Sequence, residues 1–233
     1  MDGPVECNGH SHDHLDHEDG LGLSLRPQID FPNVRCLNEL RPNSGRDVLK
    51  LHEERLTATP NLISQEDDPE LLLYIPFTEA VTIQYISIRS VVEVSQQGNQ
   101  NQNNDDIRTA PPRRIKLFTN RDDLDFDTAR DMESQMNMDL LPPYHFVDGT
   151  IDYPLRPAGR FQNISSLTIM VVSNYAGEES GGDDDDTSTI ITYVGLKGKG
   201  SKQKRMAVEA VYESRGMPED HKVKGEFGTQ QLL

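Results

Sequence analysis

Residues 66–88, EDDPELLLYIPFTEAVTIQYISI, constrain the fold more than any other segment of this chain. An acidic turn runs straight into a nearly unbroken series of β-forming and apolar residues. In an extended chain Val81, Ile83 and Tyr85 share one face and Thr82 and Gln84 the other, because strand side chains alternate with period two. After Tyr85 the phase flips. Ile86 and Ile88 fall on the face of Thr82 and Gln84, which implies either a bulge or a strand covered on both sides. A single amphipathic helix fits less well, since Pro76 would break it and five β-branched residues fall between Thr78 and Ile86. The segment therefore reads as the start of a buried sheet.

Strand-like stretches recur at 71–75, 81–94, 115–118, 144–147, 167–173, 190–196 and 206–212. Ile115 and Leu117 alternate with Arg114 and Lys116, and Met206, Val208, Ala210 and Tyr212 alternate with Ala207, Glu209 and Val211. Between them, 95–106 and 176–188 are low-complexity polar tracts that read as insertions at strand ends, where added length costs little. Residues 141–161 form a better specified loop region punctuated by Pro142, Pro143, Pro154 and Pro157. Helix is expected only at 127–136, with Asp127 as N-cap, and in a turn or two between Arg46 and Arg55. Many short strands, long loops and no alternating βα rhythm predict an all-β domain, an antiparallel sandwich or jelly roll. Apolar residues make up 34% of 233, enough for one core but not two. One domain is expected over 23–215, between a His- and Asp-rich tail, 1–22, that lacks the apolar content to order itself and a C-terminal tail, 216–233.

The net charge of −16 repels phosphate backbones, so direct nucleic-acid binding is disfavoured. No run approaches the roughly 18 consecutive apolar residues that span a bilayer, and the polar N-terminus does not resemble a secretion signal. A monomeric protein of the cytoplasm and nucleus, without membrane association, is the expectation. The two cysteines, Cys7 and Cys36, are too few for a disulfide framework.

Four sets of residues bear on chemistry. His10, His12, His14 and His17, beside Cys7 and several aspartates, are the candidate metal ligands. A closed metal site needs ligands held by a fold, so the tract is expected to chelate only opportunistically, and no cofactor is expected. Asp123, Asp125, Asp127 and Asp131 have the spacing of a calcium loop, but Thr128 replaces the glycine of its sharp turn and Ser134 its bidentate glutamate. An acidic loop with a helical cap is the better reading. Lys197, Lys199, Lys202, Lys204 and Arg205, in GLKGKGSKQKR, form a basic cluster in an acidic chain and read as a hairpin connection that presents a partner-binding patch. Catalysis finds no support: no serine lies in a nucleophile elbow, no CxxC is present, and Cys36 reads as a small core residue.

The blocks Cys36-Leu37-Asn38-Glu39, EDDPELLLYIPFT (66–78), KLFTN (116–120), FQNISSLTIMVVSN (161–174), TYVGLKG (192–198) and YESRGMPEDH (212–221) resemble, in order, those of the PITH domain family. The chain is most similar to stand-alone members that carry a His-rich N-terminus instead of a thioredoxin module. The resemblance implies a β-sandwich jelly roll similar to galactose-binding-like domains, no catalytic activity, and association with the regulatory particle of the 26S proteasome. Leu71, Leu73, Ile75, Phe77, Leu167, Ile169 and Val171 in these blocks are core residues by pattern. The PEDH turn that ends the last block directs the following tail over the surface, which makes Asp220 and His221 further candidates for partner contact. Two alternatives are a regulator of gene expression working through protein partners and a carbohydrate-like small-ligand module. The absence of Trp and the 6% aromatic content leave the latter few platforms for a sugar face.

Overall fold

The computed structural model describes residues 22–66, 68–90, 108–143, 148–176 and 187–204. The expected strands at 144–147 and 206–212, the polar tract at 95–106, most of the tract at 176–188 and both tails lie outside these residues.

The stretch from 71 to 89 is one strand, where 71–75 and 81–94 read as two. β4 (Leu71–Arg89) runs for 19 residues and organises everything around it. Its first half pairs with β2 (Arg35–Leu37) on one edge and with β9 (Ile164–Asn174) on the other. The sheet continues through β6 (Pro112–Thr119) to β7 (Met136–Asp139). The second half of β4 changes neighbours, lying between β8 (Thr150–Pro154) and β11 (Tyr193–Lys204), with β1 (Leu23–Ser24) beyond β11, so the strands on its first half form one layer and those on its second half another, both facing one core. The change occurs at Pro76. The last regular pair with β9 is Pro76 with Ser166, and the next, Val81 with Ile164, skips four residues of β4. Proline has no N–H for the ladder, so the strand leaves its partner where sequence removes a donor.

The phase flip is a bulge. Lys197 lies opposite Tyr85 and Gly198 opposite Ile83, which leaves Gln84 as an extra residue in β4. Val81 and Ile83 before it and Ile86 and Ile88 after it are therefore all buried in one core. In the first half both faces are covered, so LLLYIPF reads as nearly continuous apolar sequence. Leu71, Leu73, Ile75 and Phe77 face the main core, and Leu72 joins Phe118, Met170 and Ala129 on the outer side of the sheet.

That outer cluster is covered by residues 121–132, which include α2 (Phe126–Asp131). The N-cap is Asp125, two residues before the expected Asp127: its side chain accepts from the Thr128 N–H at 2.7 Å. At the other end Lys116 Nζ donates to the carbonyls of Ala129 (3.2 Å) and Arg130 (2.6 Å). Arg130 bonds to Glu70, which ties the helix to the entry of β4. The acidic loop is thus committed internally, with Asp123 paired to Arg121 and Asp127 to Arg130.

The hydrogen bonds from Thr128 hold the Asp125 carboxyl below the usual carboxylate range. Because the folded value is depressed, this cap stabilises the fold above the unfolded pKa, and its contribution is lost as the pH falls through the folded value. Asp125→Ala should be less stable than the parent at neutral pH, and the two unfolding free energies should converge in acid. Urea titrations across that range would contradict the assignment if the difference were independent of pH.

The remaining strands form a small separate sheet in the order β3 (Leu62–Ile63), β10 (Ser188–Ile191) and β5 (Thr109–Ala110). Its β5–β10 pair is parallel, an exception to the antiparallel expectation. The predicted strand at 190–196 is divided at Thr192 between β10 and β11. Of the expected turn at 46–55, α1 (Ser44–Asp47) and a 3-10 turn at His52–Glu54 form. Among the described residues no helix is long and apolar enough to cross a membrane.

Candidate functional site

The basic cluster is not a hairpin. Residues 195–204 lie within β11, antiparallel to β4, and the glycines serve close packing instead of turning. At Gly195 the Tyr193 ring occupies the space a Cβ would need. Lys197 is 6% exposed, with Nζ 3.3 Å from Asp152 Oδ2, and Asp152 also accepts from the Ser87 hydroxyl. It is therefore buried in a polar network across β8, β4 and β11 whose Asp152 end reaches the surface, and it cannot contribute to an exposed patch. Lys199 is exposed. Lys202 and Lys204 lie on the β11 backbone, while Arg205, Asp220, His221 and the histidines His10, His12, His14 and His17 lie outside the described residues. Among the described residues no three His, Cys, Asp or Glu side chains come together as metal ligands. Burial, with the Glu39 carboxylate adding to it, pushes the Cys36 thiol far above its usual range; the side chain packs against the core.

The structure instead brings together residues that sequence reasoning left unassigned, in an open cleft of about 620 Å³. One wall is the chain just after β1: Arg26, then Phe31 and Pro32, in two successive 3-10 turns. The opposite wall is Arg46 and Asp47 of α1, followed by Leu49 and Lys50. Glu54, Thr57, Thr59 and Pro60 close one side. Both walls hang on β11, since Leu25 N–H donates to Leu196 O (2.8 Å) and Val194 N–H to Val48 O (3.0 Å). Val48 and Leu49, both buried, anchor the second wall in the main core.

Polar groups in the cleft are held in place. Arg26 Nε donates to Leu49 O at 2.9 Å, and its guanidinium lies 4.7 Å from the centre of the Phe31 ring, a stacked arrangement that fixes the plane of the fork. Lys50 is 6% exposed, and its Nζ donates to Thr57 O (2.9 Å) and Thr57 Oγ1 (3.1 Å). Burial, and next the Arg89 guanidinium, push its pKa down, while Glu54 opposes them. Arg46 pairs with Asp47 at 3.4 Å, and both are well exposed. The only sequence signals here were prolines next to aromatic, basic or polar residues in a stretch without strand periodicity, none of which identifies a cleft.

Residues 16–216 match the PITH domain. The chain belongs to the PITH family. The PITH domain-containing protein 1 of Xenopus laevis is 32% identical over 208 residues, covering 88% of this chain and 85% of that protein. Its namesake in Dictyostelium discoideum is 30% identical over 217 residues, covering 93% of each. Among solved structures, this PITH chain is similar to a CBM32 module of a family 31 glycoside hydrolase from Clostridium perfringens (TM-score 0.42, 12% identity, 74% of this chain and 95% of that one). It is also similar to an F5/8 type C domain from Bacteroides fragilis (TM-score 0.42, 8% identity, 75% and 97%). In this PITH domain the TYVGLKG block lies in and just before the strand that carries the cleft walls, so its GLKG end, read as part of a hairpin connection, is a structural support.

Proposed function

We propose that this PITH-domain protein is a non-catalytic interaction module that associates with the regulatory particle of the 26S proteasome, in the cytoplasm and nucleus. The proteasome comes from the sequence resemblance. The observation that carries the binding reading is the open cleft, whose polar groups are held by backbone carbonyls and a stacked ring and include no nucleophile paired with a base. A carbohydrate-binding reading draws less support, because Phe31, the aromatic residue of the cleft, already has Arg26 over its ring. A basic patch acting on gene expression loses Lys197 to the interior. The test is affinity purification of the tagged full chain at graded salt. Proteasome regulatory subunits should be retained at low salt and fall away as ionic strength rises. A preparation without those subunits at every salt concentration would refute the association.

A further inference from the structure

The cleft concentrates positive charge on a chain whose net charge is −16. Three cations, Arg26, Arg46 and Lys50, line it against two carboxylates, Asp47 and Glu54. Arg46 and Asp47 satisfy one another at the exposed edge. Arg26 and Lys50 do not have such partners: neither forms an ion pair among the described residues, and their hydrogen bonds go to the neutral acceptors of Leu49 and Thr57. An ammonium has three donors and a guanidinium five. Lys50 uses two and Arg26 one, so a buried cation and a stacked cation both keep donors in reserve. Glu54 favours the charged form of Lys50 without pairing with it directly, and a buried charge without a direct ion pair is costly unless something supplies one.

We propose that the cleft receives an acidic peptide segment of a partner protein, one carboxylate of which is bound by Arg26 and Lys50 while neighbouring apolar side chains lie on Pro32 and Pro60. The inference rests on the reading of the chain as an interaction module, but not on which assembly it joins. Charge and size select this occupant. The lining leaves one positive charge in excess, which suits a singly charged carboxylate better than a doubly charged phosphate. A space of about 620 Å³ is of ligand-pocket size, and an isolated inorganic anion would leave its apolar walls uncovered. Asp47 and Glu54 repel an unbroken polyanion such as nucleic acid more than a segment whose carboxylates are spaced by apolar side chains.

The test uses the purified full chain and a short fluorescein-labelled peptide alternating aspartate with leucine, followed by anisotropy, with an asparagine-for-aspartate peptide as control. Binding should require the aspartates and weaken with salt. Arg46→Glu, at an exposed position, should raise Kd about tenfold, and Lys50→Met about thirtyfold. Arg156→Glu, at an exposed position outside the cleft lining, should leave Kd unchanged. Should Lys50→Met fail to fold, as judged by thermal melting, Arg46→Glu decides alone. Equal binding of the two peptides, an unaltered Kd for Arg46→Glu, or an equal loss with Arg156→Glu would overturn the assignment. Displacement by inorganic phosphate beyond that caused by sodium chloride of the same ionic strength would overturn it too, in favour of a small-oxyanion site. Because no proteasome is present, these results are independent of the affinity purification, and either reading can fail without the other.

Discussion

Gly198→Ala is expected to lower the unfolding free energy by about 3 kcal/mol. Gly198 lies opposite Ile83, next to the bulge at Gln84. A Cβ built on it would sit 2.0 Å from the Thr82 carbonyl oxygen and 3.1 Å from Ile83 Cα. Those atoms are backbone of the central strand and cannot rotate away as a side-chain end would, so either β11 or β4 must shift. Moving β11 disturbs Leu196 and Val194 in the core and, through them, the two walls of the cleft. Gly159→Ala is the control, since nothing lies within 4 Å of its Cβ, and it should stay within about 0.5 kcal/mol of the parent. Urea unfolding of both variants gives the comparison. If Gly198→Ala unfolds at the same midpoint as Gly159→Ala, the close approach of the two strands is wrong.

Why the bulge was legible and the strand's change of partners was not follows from what each leaves in a sequence. A bulge shifts the alternation by one residue, and this survives in the string as the step from Val81 and Ile83 to Ile86 and Ile88. The same alternation marks Leu71, Leu73, Ile75, Phe77, Leu167, Ile169 and Val171, all of them in the main core. A change of partners leaves no periodic trace. The stretches 71–75 and 81–94 read as two strands, and only pairing shows one strand passing from one layer to the other. The α2 cap was displaced by two residues because both Asp125 and Asp127 are good capping residues; Asp127 is engaged by Arg130 instead.

The candidate site was far less legible. Lys197 and Lys199 are two residues apart in a polar, glycine-rich string, so composition alone treats them alike. The register separates them: Lys197 faces Asp152 and Ser87, and Lys199 faces solvent. Glycine next to lysine reads as a turn unless a strand lies close enough to need the missing Cβ, which is a tertiary fact. The cleft is tertiary in the same way. Arg26 and Lys50 stand 24 positions apart without a shared motif, and they meet because β11 draws both segments to itself through Leu196 and Val194.

Phe161→Ala is expected to have the largest effect of any single truncation considered, about 3–5 kcal/mol. Phe161 is fully buried and ends the 3-10 turn Ala158–Phe161, where the chain crosses from β8 in one layer to β9 in the other. Its ring belongs to the core shared by both halves of β4. Removal forfeits the transfer free energy of the ring and leaves a cavity between layers that a fixed turn cannot fill by collapse. Phe161→Leu keeps most of the volume and should lose less than about 1.5 kcal/mol. With no tryptophan in the chain, tyrosine fluorescence and far-ultraviolet circular dichroism are the suitable probes. Tyr153 and Tyr193 are buried in the second layer, and the strands of both layers contribute to the dichroism. Since one core serves both layers, the two signals should move to lower urea together in Phe161→Ala, with an unchanged slope. Separated transitions would mean that each layer is stable on its own, and the shared core, on which the placement of the cleft walls depends, would have to be abandoned.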